Sequence, residues 1–235
     1  MRIVDAHEDV ATNALVVGRD VRRSALEVRR QEEDTALAAE HGQCMVGLPE
    51  WLAGRVAVVC ATIFAAPGDP RAPKPHTYTD AEGAHRLGQA QLDYYHWLAG
   101  ACDQVTLVTD RPSLDAVWRS WEGEHPQVGL ILLMEGADPI RTPAEVEQWY
   151  ERGVRIVGPA WRSGSAYAGG DARPGPLTDE GRALLEAMAD VGMVLDVSHL
   201  WESACYEAVD RFEGHIVATH ANPCLLYTSP SPRDS

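Results

Sequence analysis

The chain has 235 residues, 45% of them hydrophobic and 23% charged, the profile of an ordinary globular protein. Its formal net charge of −15 argues against a nucleic-acid partner, because phosphate binding needs a basic face. No stretch approaches the roughly 18 apolar residues of a membrane helix, so no membrane partner is expected.

The start, Met1-Arg2-Ile3-Val4-Asp5, runs straight into a strand-like segment. It has neither an apolar h-region nor a cleavage site, which reads as a cytoplasmic protein without a signal peptide. The five cysteines, at 44, 60, 102, 205 and 224, form no C-x-x-C pair and none has a zinc-finger histidine beside it. They are expected to be buried, reduced thiols.

Along the chain, short apolar runs alternate with helical segments. Strands are expected at 2–6, 56–64, 128–134, 154–159, 193–197 and 216–219, most of them continuously apolar, as strands covered on both faces are. Residues 19–34 are charge-dense and read as a helix with a solvated face. Residues 67–75 are Pro-rich and read as a surface loop. A long helix is expected over 80–98. Thr142-Pro143-Ala144-Glu145 combines an N-cap Thr, a Pro at the first helical position and a Glu three residues after the cap, with Gly153 as the stop. Thr178-Asp179-Glu180 opens a helix whose apolar face carries Leu184, Leu185, Met188 and Val191 and which stops at Gly192. A last helix runs over 201–212.

The closing segment, Cys224-Leu225-Leu226-Tyr227-Thr228-Ser229-Pro230-Ser231-Pro232-Arg233-Asp234, differs in composition from what precedes it. Its peptide resembles one reading frame of a common transposase sequencing adapter. Residues 1–223 are therefore expected to form the natural domain and 224–235 a non-native tail.

Alternating strands and helices at this spacing imply parallel β-structure with right-handed crossovers. A doubly wound sheet and a (β/α)8 TIM-type barrel both fit. No Gly-rich phosphate loop follows any strand, which favours the barrel. About six of eight strands are present, so the barrel is expected to be incomplete here.

In such a barrel the C-terminal strand ends form the active face. The first strand ends in D-A-H-E-D, where His7 and Asp9 are two apart and share one side of an extended chain. Later strands end in M-E-G, D-V-S-H and A-T-H-A-N, giving Glu135, His199 and His220. Imidazoles and carboxylates are zinc ligands, and five are too many for one tetrahedral catalytic ion. Two ions sharing a carboxylate suit them. Asp196 and Asp5 are candidates for orienting the ligand imidazoles. The histidines at 41, 76, 85, 96, 125 and 215 read as surface or helix-face residues.

D-A-H-E-D, M-E-G-A-D, D-V-S-H and T-H-A-N, in this order, resemble the membrane (renal) dipeptidase family of zinc peptidases, as does V-G-L-P-E-W-L-A-G-R-V before the second strand. The resemblance covers the chain up to Pro223. It implies that His7 and Asp9 bind one zinc, that His199 and His220 bind a second, and that Glu135 is the catalytic carboxylate bridging both. It implies a metal-bridging hydroxide acting on the peptide bond of a small dipeptide, and it is compatible with a homodimer. The family usually has a histidine after the fourth strand; that position here holds Trp161, a candidate substrate-binding residue. Dipeptide specificity is thereby opened to another amide, a lactone or an ester. The family's later substrate-binding Arg and proton-handling Asp have no counterpart before the tail, so the 235-residue chain alone is expected to be inactive.

Overall fold

In the computed structural model, which describes residues 1–72, 74 and 76–220, seven strands form one parallel sheet. They are β1 (Ile3–Glu8), β2 (Val56–Phe64), β3 (Val105–Leu107), β4 (Val128–Glu135), β5 (Val154–Gly158), β6 (Val194–Asp196) and β7 (Ile216–Val217). The spatial order is β1-β2-β4-β5-β6-β7, the sequence order of an up-winding β/α chain. This curled path of six strands is an incomplete TIM-type barrel.

β3 is the seventh strand, and the sequence reading missed it. β2 occupies one edge of β4 along residues 129–135. The other edge is shared: β3 pairs with residues 128–130 and β5 with residues 132–135. Three residues are too few to carry a periodic signal, and only the vacant lower edge of β4 makes them a strand. Two further pairings went unread. Ala66–Pro67 pairs with Thr77–Tyr78 across the Pro-rich loop, and Ala168–Gly170 pairs with Arg173–Leu177 as an antiparallel hairpin.

Nine α-helices fill the connections among the described residues: α1 (Val10–Thr12), α2 (Ala25–Glu32), α3 (Ala36–His41), α4 (Leu48–Gly54), α5 (Ala81–Ala101), α6 (Arg111–Ser120), α7 (Val146–Glu151), α8 (Asp179–Val191) and α9 (Glu202–Arg211). Several begin or end for a local reason. The Asp80 side chain accepts from Gly83 N–H to cap α5, and the Thr178 hydroxyl accepts from Gly181 N–H to cap α8. Gly192 stops α8 at φ +76°, a left-handed conformation that suits glycine. The expected capping box at Thr142 does not form. Glu145 turns to Arg141 instead, accepting from its backbone N–H at 2.9 Å and its guanidinium at 2.6 Å, and a short 3₁₀ turn precedes α7.

The core lies between the sheet and the helices. Leu92, Tyr95 and Leu98 of α5, Val117 of α6, Trp149 of α7, and Leu184 and Met188 of α8 pack on Val58, Leu130, Leu132 and Val157 of the sheet. Helix α5 lies so close to α7 that a Cβ at Gly88 would stand 2.7 Å from Pro139 and 3.0 Å from Trp149.

The segment 19–34 departs from its solvated reading. Arg19 and Glu32 are buried, and the Arg19 guanidinium donates to the Glu32 carboxylate at 2.7 and 2.9 Å. Two opposite charges 13 residues apart bury together because each neutralises the other, a pairing that local charge density cannot reveal. Of the cysteines, Cys44 and Cys60 are buried while Cys102 and Cys205 are partly exposed, and all four are free. Cys224 and the segment 224–235 lie outside the described residues. Among the described residues, no helix is long and apolar enough to cross a membrane.

Candidate metal centre

The C-terminal ends of the parallel strands meet on one rim, and the buried polar residues gather there. Apart from the Arg19–Glu32 pair they are Thr62, Gln91, Glu135, Asp196 and Ser198. Glu135, the last residue of β4, lies at the middle of the group. Its Oε1 is 3.1 Å from His199 Nε2 and 3.2 Å from His220 Nε2, and its Oε2 is 3.6 Å from His7 Nε2. The Nε2 atoms of His199 and His220 are 2.8 Å apart, and the His7 and His220 ring centroids 3.9 Å apart. Donor atoms of His7, Glu135 and His220 all lie within 4.8 Å of one another. Residues from positions 7 to 220 thus converge on one carboxylate.

Asp9 stands at the margin of this group. Its Oδ1 is 3.9 Å from His7 Nε2, accepts the Thr62 hydroxyl at 2.5 Å, and belongs to a side chain that is 45% exposed. Trp161, three residues past β5, is half-buried. Its ring stands 6.2 Å from His199 and edge-on to Phe64 at 5.1 Å. Gly136, at φ +68°, lets the chain after Glu135 turn beneath Trp161, where a Cβ would sit 3.2 Å from the Trp161 nitrogen.

The electrostatics separate His199 from His7. Burial alone would raise the Glu135 carboxyl, but hydrogen bonds from His199 and His220 and the nearby His7 overcome it and hold the group at about 2. Its hydrogen bond to Glu135 pushes His199 up, and Asp171, 3.3 Å from Nδ1, adds to that. His7 moves down because burial outweighs the pull of Glu135. Its Nδ1 is buried without a hydrogen-bond partner.

This donor set fits divalent metal. Ligand distances near 2.0–2.1 Å put the donors of a tetrahedral zinc about 3.4 Å apart. The contacts here range from 2.8 to 3.9 Å. Three imidazole nitrogens crowded on one ionised carboxylate, one of them on a ring that burial makes harder to protonate, is the arrangement a cation would satisfy.

The supporting residues were only partly foreseen. Asp196 is buried and accepts from Ser198 Oγ at 2.6 Å and Thr219 Oγ1 at 2.5 Å, and Thr219 Oγ1 in turn lies 2.9 Å from His220 Nδ1. Asp196 therefore fixes the His220 ring through a threonine. Asp5 accepts from the His7 backbone N–H at 3.1 Å and makes no hydrogen bond to the ring Nδ1. Asp5 also faces Glu8, whose carboxyl is pushed up to about 8 by burial and by that neighbour. Thr62 and Asp171 were not singled out. Thr62 left a signal, a lone hydroxyl in the apolar run V-V-C-A-T-I-F; Asp171 reaches His199 from the 168–177 hairpin and left none.

An open parallel β/α barrel with imidazoles and carboxylates gathered at the carboxyl ends of its strands defines the class of metal-centred barrels. The chain belongs to the membrane dipeptidase family, peptidase family M19, which it matches over residues 1–232. It is 32% identical over 146 residues to an uncharacterized protein in the PQQ-III 3′ region of Acinetobacter calcoaceticus, covering 58% of this chain and 44% of that one. It is 31% identical over 121 residues to an uncharacterized protein in the pqqA 5′ region of Klebsiella pneumoniae, again covering 44% of that protein. The chain thus spans under half the length of these relatives.

Solved structures share the fold at low identity. A Rhodobacter sphaeroides metallo peptidase liganded with a phosphinate mimic of the dipeptide L-Ala-D-Ala matches 94% of this chain and 65% of its own, with TM-score 0.71 and 19% identity. The probable dipeptidase PvdM from Pseudomonas aeruginosa matches 95% and 53%, with TM-score 0.74 and 18% identity.

Proposed function

We propose that the protein is a dinuclear zinc dipeptidase that hydrolyses the peptide bond of small dipeptides. The observation that carries this reading is the convergence of His7, His199 and His220 on the ionised carboxylate of Glu135, in a chain of the membrane dipeptidase family. His7 and Asp9 would hold one ion, His199 and His220 the other, with Glu135 shared. When bound, the ions supply the Lewis-acid charge that polarises the scissile carbonyl and lowers the pKa of the attacking water.

The chain's own residues set that chemistry up. Glu135 stays ionised over the working pH range, because its carboxyl is held at about 2. The Asp196–Thr219 pair fixes the His220 ring, and Asp171 does the same for His199. Asp9 and Glu135 bring only two negative charges to two divalent ions, so the site keeps net positive charge and favours a substrate with a free carboxylate. Trp161 stands 6.2 Å from the His199 ring and would pack against a substrate bound there.

The test is a dipeptide panel with full-length protein reconstituted with zinc. Turnover that disappears with chelator and returns with zinc is expected. Two tightly bound zincs without turnover of any dipeptide overturn the reading. A second reading rests on Trp161, whose indole can donate one hydrogen bond but cannot accept or shuttle a proton: the same site would act on another amide, a lactone or an ester. Gain of dipeptide turnover in Trp161→His, from a wild type that hydrolyses one of those substrates, favours it.

A further inference from the structure

Tyr95 sits midway along α5, fully buried among apolar side chains. A phenol hydroxyl in such surroundings is costly unless it is partnered. Here it is partnered twice. It accepts from the Ala11 backbone N–H at 3.0 Å and donates to the Thr62 carbonyl at 2.6 Å.

Both partners belong to the rim that carries the ligands. Ala11 lies two residues past Asp9, in the single turn of α1. The hydroxyl of Thr62 donates to Asp9 Oδ1 at 2.5 Å. One buried oxygen therefore ties the turn after β1 to the end of β2, and the Asp9 carboxylate is held between them. One turn earlier on α5, Gln91 accepts from Phe64 N–H at 2.8 Å and donates to Phe64 C=O at 2.6 Å, fixing the last residue of the same strand. From the other side, Asn13 Nδ2 donates to the Asp9 carbonyl at 2.9 Å. Asp9 needs this support more than the other candidates do. It is the most exposed of them and lies outside the tight group formed by His7, Glu135 and His220.

We propose that Tyr95, acting through Ala11 and Thr62, is a positioning residue that presents the Asp9 carboxylate to a divalent cation. The inference rests on the reading that His7 and Asp9 hold one of two ions. Thr62 sits one step behind the ligand, where loss of a partner typically lowers metal affinity 10–100-fold, and Tyr95 sits one step behind Thr62.

The experiment is competition of full-length protein against a chromogenic zinc chelator, with melting of the metal-free form measured alongside. Wild type is expected to take up two equivalents. Tyr95→Phe keeps the ring and removes only the oxygen. One equivalent should weaken by about 10-fold, the low end for a ligand's own partner, while the one held by Glu135, His199 and His220 keeps its affinity. Thr62→Val should weaken the same equivalent, and Thr62→Ser, which keeps the hydroxyl, should restore it. If Tyr95→Phe does not fold, the Thr62 pair carries the test. A lower melting point with both zinc affinities unchanged reduces Tyr95 to a packing residue and overturns the proposal, as does unchanged affinity in Thr62→Val. Wild type that binds no zinc overturns the underlying reading, and this inference with it.

Discussion

Strands β4 and β1 deliver candidate ligands to the same rim from opposite circumstances. β4 lies inside the sheet, with seven of its eight residues buried, and ends in a buried Glu135. β1 is an outer strand among the described residues; Ile3 is 41% and Val4 55% exposed, and it leads to the half-exposed Asp9. A carboxylate at the end of β4 is placed by the sheet itself. One beyond the end of β1 has to be placed by side chains, which is the part played by Thr62 and Asn13. The difference shows that position on the rim is not enough to define a ligand; what holds the strand end decides how firmly it is offered.

The widest separation between the two strands should appear in packing. Leu130→Ala in β4 removes a fully buried side chain and should cost about 2–5 kcal/mol in urea unfolding. A loss under 1 kcal/mol would mean that β4 is not the central strand described here. Next comes Glu135, the carboxylate proposed to be shared by two ions. Glu135→Gln keeps the size and removes the charge, so both zinc equivalents should weaken by about 100-fold or more, roughly 2.7 kcal/mol, read by metal content after dialysis. If only one equivalent is lost, the carboxylate is not shared.

A smaller effect is expected from Asp138, at the start of the loop that follows β4. Burial pushes its carboxyl up to about 6, with Tyr78 facing it. A carboxyl raised in the folded state binds more protons there than in the unfolded chain. Its contribution to stability is therefore present below about pH 4 and is lost as pH rises through 6. Asp138→Asn should flatten that limb of the stability–pH curve, by about 1–2 kcal/mol between pH 4 and 7. An unchanged slope would show that Asp138 is not desolvated. The smallest effect belongs to the edge. Val4→Thr on β1 should change stability by no more than about 0.5 kcal/mol. A larger loss would mean that this face of β1 is covered in solution.

The same contrast explains what could be read from the residues in advance. The continuous apolar runs of β2 and β4 announced buried parallel strands, and four histidine- or carboxylate-bearing motifs at strand ends announced the rim. Asp9 and Glu135 both followed from their position after a strand. What was not legible depends on distance in the chain. β3 exists because β4 has a vacant edge. Arg19 and Glu32 are buried because they meet each other. Asp171 reaches His199 because a hairpin folds across the sheet. None of these partners is local, and no periodicity encodes them. Tyr95 falls inside the long helix expected over 80–98, and only its two hydrogen bonds distinguish it.

His199 adopts a backbone φ of +64°, a left-handed conformation that histidine visits more readily than bulky residues but still at a cost of about 1–2 kcal/mol. Glycine or asparagine would occupy that position with less strain. A screen that rewards thermal tolerance alone would therefore drift toward replacing this imidazole, yielding a sturdier chain stripped of a nitrogen that now rests against Glu135. Any stabilisation campaign on this protein should hold residue 199 fixed from the outset.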